Sequence, residues 1–228
     1  MIVDGVSVLF VCHANRCRSP MAERLAEVAL ARRLRLPAAV CAWPGVAGIS
    51  FASAGTHAFP GDPMHRRGLH VLEEYGASGR QFFSQRVAES LLHSAGLILT
   101  ATRDQRAHCV RMAPAAVRRT FTLREFGRLC RAVDVAELPT VPGVPLVPAP
   151  PATRLLSLVS AATAARAQFR PVPARADDLP DPVNRSVDHF RACAREIWSI
   201  LDVITGLLIA VPPAPEPARS PRARTPAG

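Results

Sequence analysis

The sequence predicts an α/β fold: a small three-layer sandwich around a central four-stranded parallel sheet. Two observations carry this expectation. Strand candidates at residues 6–11, 49–54 and 97–100, with a fourth at Arg119 to Phe121, alternate with stretches of helical periodicity. The first run, Val6-Ser7-Val8-Leu9-Phe10-Val11, is nearly continuous and β-branched, as suits a strand buried on both faces. Strand-then-helix alternation places ligands beyond the carboxyl ends of the strands, and Cys12 stands at the end of the first.

Taken in order, Cys12 to Ser19 reads as a turn, and Pro20 falls in the first turn of a helix. Met21, Leu25, Val28 and Ala29 give that helix its apolar face, and it ends before Pro37. Residues 37–48 read as a connection. After the second strand, Gly55-Thr56 closes the run, and Asp62-Pro63 predicts the next helix start. Gly76 and Gly79 bracket a turn, and a short helix is expected over 84–92. Thr102 is placed to cap a helix running to about Met112, and another helix follows over 123–132. Six prolines between 138 and 152 predict irregular chain. Helices are expected over 152–167 and 184–208, with a loop to Val183 between them. The domain is expected to span 1–210 with a Pro-rich insertion at about 138–151, followed by a disordered Pro/Arg-rich tail over 211–228.

The 228 residues suit one domain with extensions. Formal net charge is +10, yet every basic side chain besides histidine is arginine and lysine is absent. Abundant Arg, Ala and Pro together match a GC-rich coding bias as well as a binding surface. No basic run interleaved with aromatics tracks a phosphate backbone, so nucleic acid is not expected as a partner. No apolar run reaches the ~20 residues of a membrane span, and the N-terminus lacks a signal-peptide pattern. Cysteines at 12, 17, 41, 109, 130 and 193 form no framework and no Cys-x2-Cys pair. Free thiols in a reducing cytoplasm are therefore expected. The histidines show no metal-ligand spacing, so neither metal nor cofactor is expected.

The turn itself, Cys12-His13-Ala14-Asn15-Arg16-Cys17-Arg18-Ser19-Pro20, carries the chemistry. A thiolate is favoured where helix N-terminal N–H dipoles and an arginine surround it. The same N–H groups cradle a dianion. Arg18 offers a planar fork for two phosphate oxygens, Ser19 a hydrogen bond to the sulfur, and Asn15 tolerance of a left-handed backbone. Covalent phosphoryl transfer also needs an acid, and Asp181, held between Pro180 and Pro182, stands on a stiff loop.

Together the loop, Ser53-Ala54-Gly55-Thr56, Leu97-Ile98-Leu99-Thr100 and Asp178-Leu179-Pro180-Asp181-Pro182 resemble the low-molecular-weight protein tyrosine phosphatase family over residues 6–208, in an Arg/Ala/Pro-rich, actinobacterial-like form. The resemblance implies Cys12 as nucleophile, Arg18 as phosphate binder and Asp181 as general acid and then base. It implies that His13, Ala14, Asn15, Arg16, Cys17 and Ser19 surround the phosphate, and that Asn15, Ser19 and Ser53 hold the loop open. Cys17 would pair reversibly with Cys12 under oxidation. A phosphorylated protein, such as a bacterial tyrosine kinase or one of its targets, is the implied partner. The sequence is silent on oligomeric state.

Departures from the family pattern are Ala14 in place of glycine, Arg16 in place of an aliphatic residue, and Val183-Asn184 where aromatics usually grip the substrate ring. Residues 81–84 also lack a supporting histidine found in many relatives. Arg16 either draws an acidic substrate or points to solvent. His57 reads as a surface residue and Trp198 as core. Arsenate reductase is the alternative on the same loop, but it needs resolving thiols near Cys12. Residues 77–95 have none, leaving Cys109. A weakly active phosphate-binding module is the third reading.

Overall fold

The computed structural model describes residues 5–36, 46–166, 168 and 172–211. Cys41, most of the 37–48 connection and the tail beyond 211 lie outside the described residues. Four strands, β1 (Val6–Cys12), β2 (Ile49–Gly55), β3 (Leu97–Thr100) and β4 (Thr120–Thr122), form one parallel sheet in the order β2-β1-β3-β4. Cys12 sits opposite Gly55 and Val11 opposite Thr100, so the carboxyl ends of three strands meet beside the loop that follows β1.

Side-chain alternation along β1 divides the core. Val8, Phe10 and Cys12 join the larger apolar cluster with α1 (Arg18–Leu34) and α8 (Val187–Ile209), whereas Leu9 and Val11 join a smaller one with Ile98 and Cys109. Helix α1 buries Met21, Leu25, Ala26 and Leu30 against the sheet. Arg35, left-handed at φ 56°, ends it one residue before Leu36 returns an N–H to Ala31 O (2.9 Å). Helix α4 (Arg103–Met112) and helix α5 (Leu123–Cys130) each open on a reciprocal cap, Thr102 with Gln105 and Thr122 with Glu125. The remaining helices are α2 (Arg66–Glu74) and α3 (Glu89–Ser94), which precede β3, and α6 (Pro151–Arg166) and the single turn α7 (Ala174–Asp177), which precede α8. Trp198 on α8 is half-buried against Tyr75, with the Arg32 guanidinium 4.7 Å from its ring centre.

Several boundaries differ from the sequence expectation, each for a tertiary reason. The helix expected from Asp62-Pro63 starts at Arg66, because Pro63 is held extended in a bridge with Phe83 and Asp62 O accepts from Ser84 N–H (2.8 Å). The helix expected over 84–92 is shortened to Glu89–Ser94, because Arg86 pairs with Gly55 at the sheet edge. The Pro-rich stretch is not irregular. It folds into a hairpin of β5 (Thr140–Val141) and β6 (Val144–Pro148), turned at Pro142-Gly143 with Gly143 at φ 80°. Proline is compatible with these edges because a two-stranded ribbon leaves half of its N–H sites outside the ladder. The last helix begins at Val187 rather than Asn184, whose φ of 60° excludes it from the helix.

Candidate active site

The turn after β1 wraps the N-terminus of α1. Among the described residues, no acceptor engages the backbone N–H groups of His13 to Cys17. These donors are unused at the positive end of a helix with no acidic residue in its first turn. Asn15 braces the turn from behind. Its backbone is left-handed at φ 54° and its side chain fully buried. Asn15 Nδ2 donates to Ser19 Oγ (2.9 Å) and Ser53 Oγ (2.8 Å), and its Oδ1 accepts from Gln85 N–H (2.8 Å). Ser53 Oγ donates onward to Glu23 Oε2 at 2.5 Å. Ser19 Oγ donates to Cys12 Sγ (3.0 Å), with Ala54 O as an alternative acceptor at 3.2 Å. One polar chain thus runs from the sheet edge to the sulfur.

Gly55 makes the close approach possible. A Cβ there would stand 2.6 Å from His13 O and 2.7 Å from Asn15 N, both backbone atoms. Ala14 is not among the residues with positive φ, so its methyl group is accommodated.

Cys12, His13, Ala14, Arg16, Cys17, Arg18, His65, Asp181 and Val183 line one cavity of about 190 Å³. Asn15, Ser19 and Ser53 lie behind its wall. Arg18 is 5% exposed, and its Nε has no partner among the described residues. Its Nη1 donates to Leu179 O (3.0 Å), and its Nη2 is hydrogen-bonded to Asp181 Oδ2. The loop bearing Asp181 is tied down from three sides. Leu179 N–H reaches Ala101 O (2.8 Å), Asp178 Oδ1 accepts from Arg103 N–H (2.8 Å), and Arg124 Nη1 donates to Asp178 O (2.7 Å). Asp181 Oδ1 accepts from Val183 N–H (3.1 Å), which keeps the carboxylate over the cavity.

Arg16 is half-exposed on the rim, with Nε directed to Pro63 O (3.3 Å) and Nη1 3.5 Å from Asp62 Oδ2. His65 was not singled out from the sequence, because nothing in its spacing marks it. It reaches the cavity by capping α2 and stacking on Phe190 at 4.8 Å. Glu23 lies one helical turn after Ser19, a spacing that could have revealed it. Burial holds its carboxyl above the usual range, against the lowering effects of Ser53 and Arg24. Cys17 is a free thiol pushed up to about 12 by burial, then by Asp181 and Cys12, against Arg18 and Arg16. Cys109 lies in the cluster on the other face of the sheet from Cys12, and burial raises it to about 12 as well. Among the described residues no group of His, Cys, Asp and Glu is arranged to hold a metal ion.

A buried cysteine and a buried arginine line one cavity beside a run of unused backbone donors at a helix N-terminus, an arrangement whose chemistry suits an oxyanion next to a thiol. The model of the low molecular weight phosphotyrosine protein phosphatases matches residues 7–139, and the chain belongs to that family of cysteine-dependent phosphatases. It is 31% identical over 119 residues to the probable low molecular weight protein-tyrosine-phosphatase EpsP of Ralstonia solanacearum, covering 52% of this chain and 71% of that protein. It is 33% identical over 119 residues to a protein-arginine-phosphatase of Geobacillus stearothermophilus, covering 52% and 70%. The fold is that of a YwlE mutant from Bacillus subtilis, with a TM-score of 0.57 at 21% identity over 88% of this chain and 97% of that one. The matched segment stops before Asp181, whose place in the site therefore rests on the geometry above.

Proposed function

We propose that this phosphatase hydrolyses phosphotyrosine in proteins, or a related phosphomonoester, through a phosphoryl group carried on Cys12. The observation that supports this most is the meeting of three groups at one cavity: a sulfur hydrogen-bonded by Ser19, the buried Arg18, and a carboxylate in contact with that arginine. In this reading the phosphate dianion is held by the free N–H groups of the turn, and Arg18 takes two of its oxygens. The Cys12 thiolate forms the S–P bond as the ester P–O bond breaks, and Asp181 delivers a proton to the departing oxygen. Asp181, now a carboxylate, then takes a proton from water as that water displaces the sulfur. Ser19 stabilises the leaving thiolate.

The rim favours a neutral or anionic substrate surface. Arg16 lines the mouth, so the guanidinium of a phosphoarginine would meet like charge there, partly offset by Asp62 at 3.5 Å; burial and neighbouring arginines disfavour a proton on His65, which adds little to that charge. Val183 supplies an apolar wall in place of an aromatic one. Arsenate reduction is disfavoured by Cys109, which packs behind the sheet rather than near the sulfur of Cys12. The phosphatase domain is proposed to run through residue 210, beyond the family match, since Asp181 and the core helix α8 both lie there. A site of action in the cytoplasm fits a chain in which no described helix is long and apolar enough to cross a membrane.

Turnover of p-nitrophenyl phosphate by the purified chain and by Cys12→Ser tests the reading. Loss of about a thousandfold, on the order of 4 kcal/mol of transition-state stabilisation, is expected. Undiminished turnover by the variant would refute it.

A further inference from the structure

A second cleft of about 470 Å³ lies beside the catalytic cavity and shares His13, Arg18 and Asp181 with it. Its remaining wall is Thr56, His57, and the face of α4 formed by Thr102, Asp104, Gln105, His108 and Arg111. Three imidazoles cross it in a row. His13 stacks on His57 at 4.5 Å, and His57 meets His108 at 5.9 Å with the rings tilted by 50°. Thr56 Oγ1 contacts His57 Nδ1 at 2.9 Å, which fixes that ring. The row begins at the residue after Cys12 and ends one helical turn from Arg111. Among the described residues no group of His, Cys, Asp and Glu is arranged to hold a metal ion, whereas imidazoles next to an arginine suit an anion.

We propose that this cleft is a second anion subsite, in which His57, His108 and Arg111 hold a carboxylate side chain next to the phosphorylated residue of the protein substrate. The proposal rests on the phosphatase reading and adds a sequence preference to it. The charged and titratable groups facing the row are Arg18, Asp181, Asp104, Arg111 and Arg86. Asp181 is matched by Arg18, which leaves two arginines against Asp104 before any imidazole is protonated. Burial, then His57, Arg111 and Arg86, lower the affinity of His108 for a proton. An entering carboxylate offsets that mutual repulsion, so binding is accompanied by proton uptake and strengthens as the pH falls.

The test compares kcat/KM for phosphotyrosine peptides carrying Glu or Gln beside the phosphorylated residue, on each side in turn, at about pH 5.5 and about pH 8. Wild type is expected to prefer one Glu peptide by about tenfold at the lower pH and by a few-fold at the higher. The double variant His108→Gln, Arg111→Gln should lose the preference while hydrolysing phenyl phosphate, which cannot reach the cleft, at the wild-type rate. Equal handling of Glu and Gln peptides by wild type, or a preference that survives in the double variant, would overturn the subsite alone. A wild-type chain that turns over no phosphate ester at all would instead remove the phosphatase reading and the subsite with it.

Discussion

At the scale of single residues, the site depends on groups that never touch the cavity. Gly55 admits the loop backbone, Asn15 spends its whole side chain holding that loop in shape, and Glu23 terminates the chain of hydrogen bonds behind it. Glu23 yields a prediction with a definite sign. Its folded-state proton affinity exceeds that of the unfolded chain, whose value is near 4.5, because burial penalises the ionised form. The protonated carboxyl therefore contributes stability that is fully present below about pH 4.5 and is lost as the pH rises through the folded value. Glu23→Gln keeps an acceptor for Ser53 but abolishes the titration. Thermal unfolding of both proteins across this range should show the variant gaining on wild type as the pH rises from 4 towards 7, by about 1.4 kcal/mol for each tenfold difference in proton affinity. A pH-independent gap would show that Glu23 is not ionising in a buried setting.

At the scale of elements, the loop over residues 177–183 holds the Asp181 carboxylate in place. Arg124 on α5 binds Asp178 O, Arg175 O (3.1 Å) and, through Nη2, Glu196 on α8 (2.8 Å), so it links the loop to two core helices. Arg103 at the start of α4 grips Asp177 and Asp178 from the other side. Arg124→Leu should leave phosphate binding intact but blur the position of Asp181. The expected result is a fall in kcat of about tenfold for esters with poor leaving groups and little change for good ones, with KM unaltered. An equal fall for every ester would mean only that less protein is folded. Much at this scale was legible in the sequence. Three strands of the sheet follow from apolar runs and the start of α4 from Thr102 as its cap, whereas the reciprocal bonds with Gln105 and Glu125 are visible only in the fold. The errors fall where long-range pairing overrides local signals. Pro63 and Arg86 are extended because Phe83 and Gly55 pair with them, and neither partner is close in sequence. The hairpin within the Pro-rich stretch runs against its proline density and is made possible by the Pro142-Gly143 turn.

At the scale of the whole molecule, two segments far apart in sequence meet at one cavity. Cys12 and Arg18 enter from β1 and α1, and Asp181 arrives more than 160 positions later, where Arg18 bonds both Leu179 O and Asp181. The sequence shows both motifs but not their contact, nor the resulting division of the surface into a cavity lined by Cys12 and a histidine-lined neighbour. His57 illustrates the limit. It is a surface residue, as its sequence context suggests, yet stacking on His13 places it at the mouth of the site. The sheet separates the thiols in the same way, with Cys12 on the α1 face and Cys109 behind it, a distinction carried only by strand alternation and packing.

In the proposed mechanism phosphate passes through Cys12, and Asp181 is needed to release it. The most direct measurement is mass spectrometry of acid-quenched Asp181→Asn during turnover of p-nitrophenyl phosphate, whose leaving group departs without a proton donor while the water step lacks its base. The account predicts one phosphoryl group per chain, located on the peptide containing Cys12 and absent from Cys12→Ala. A phosphoryl group on any other residue, or steady turnover by Cys12→Ala, would contradict it.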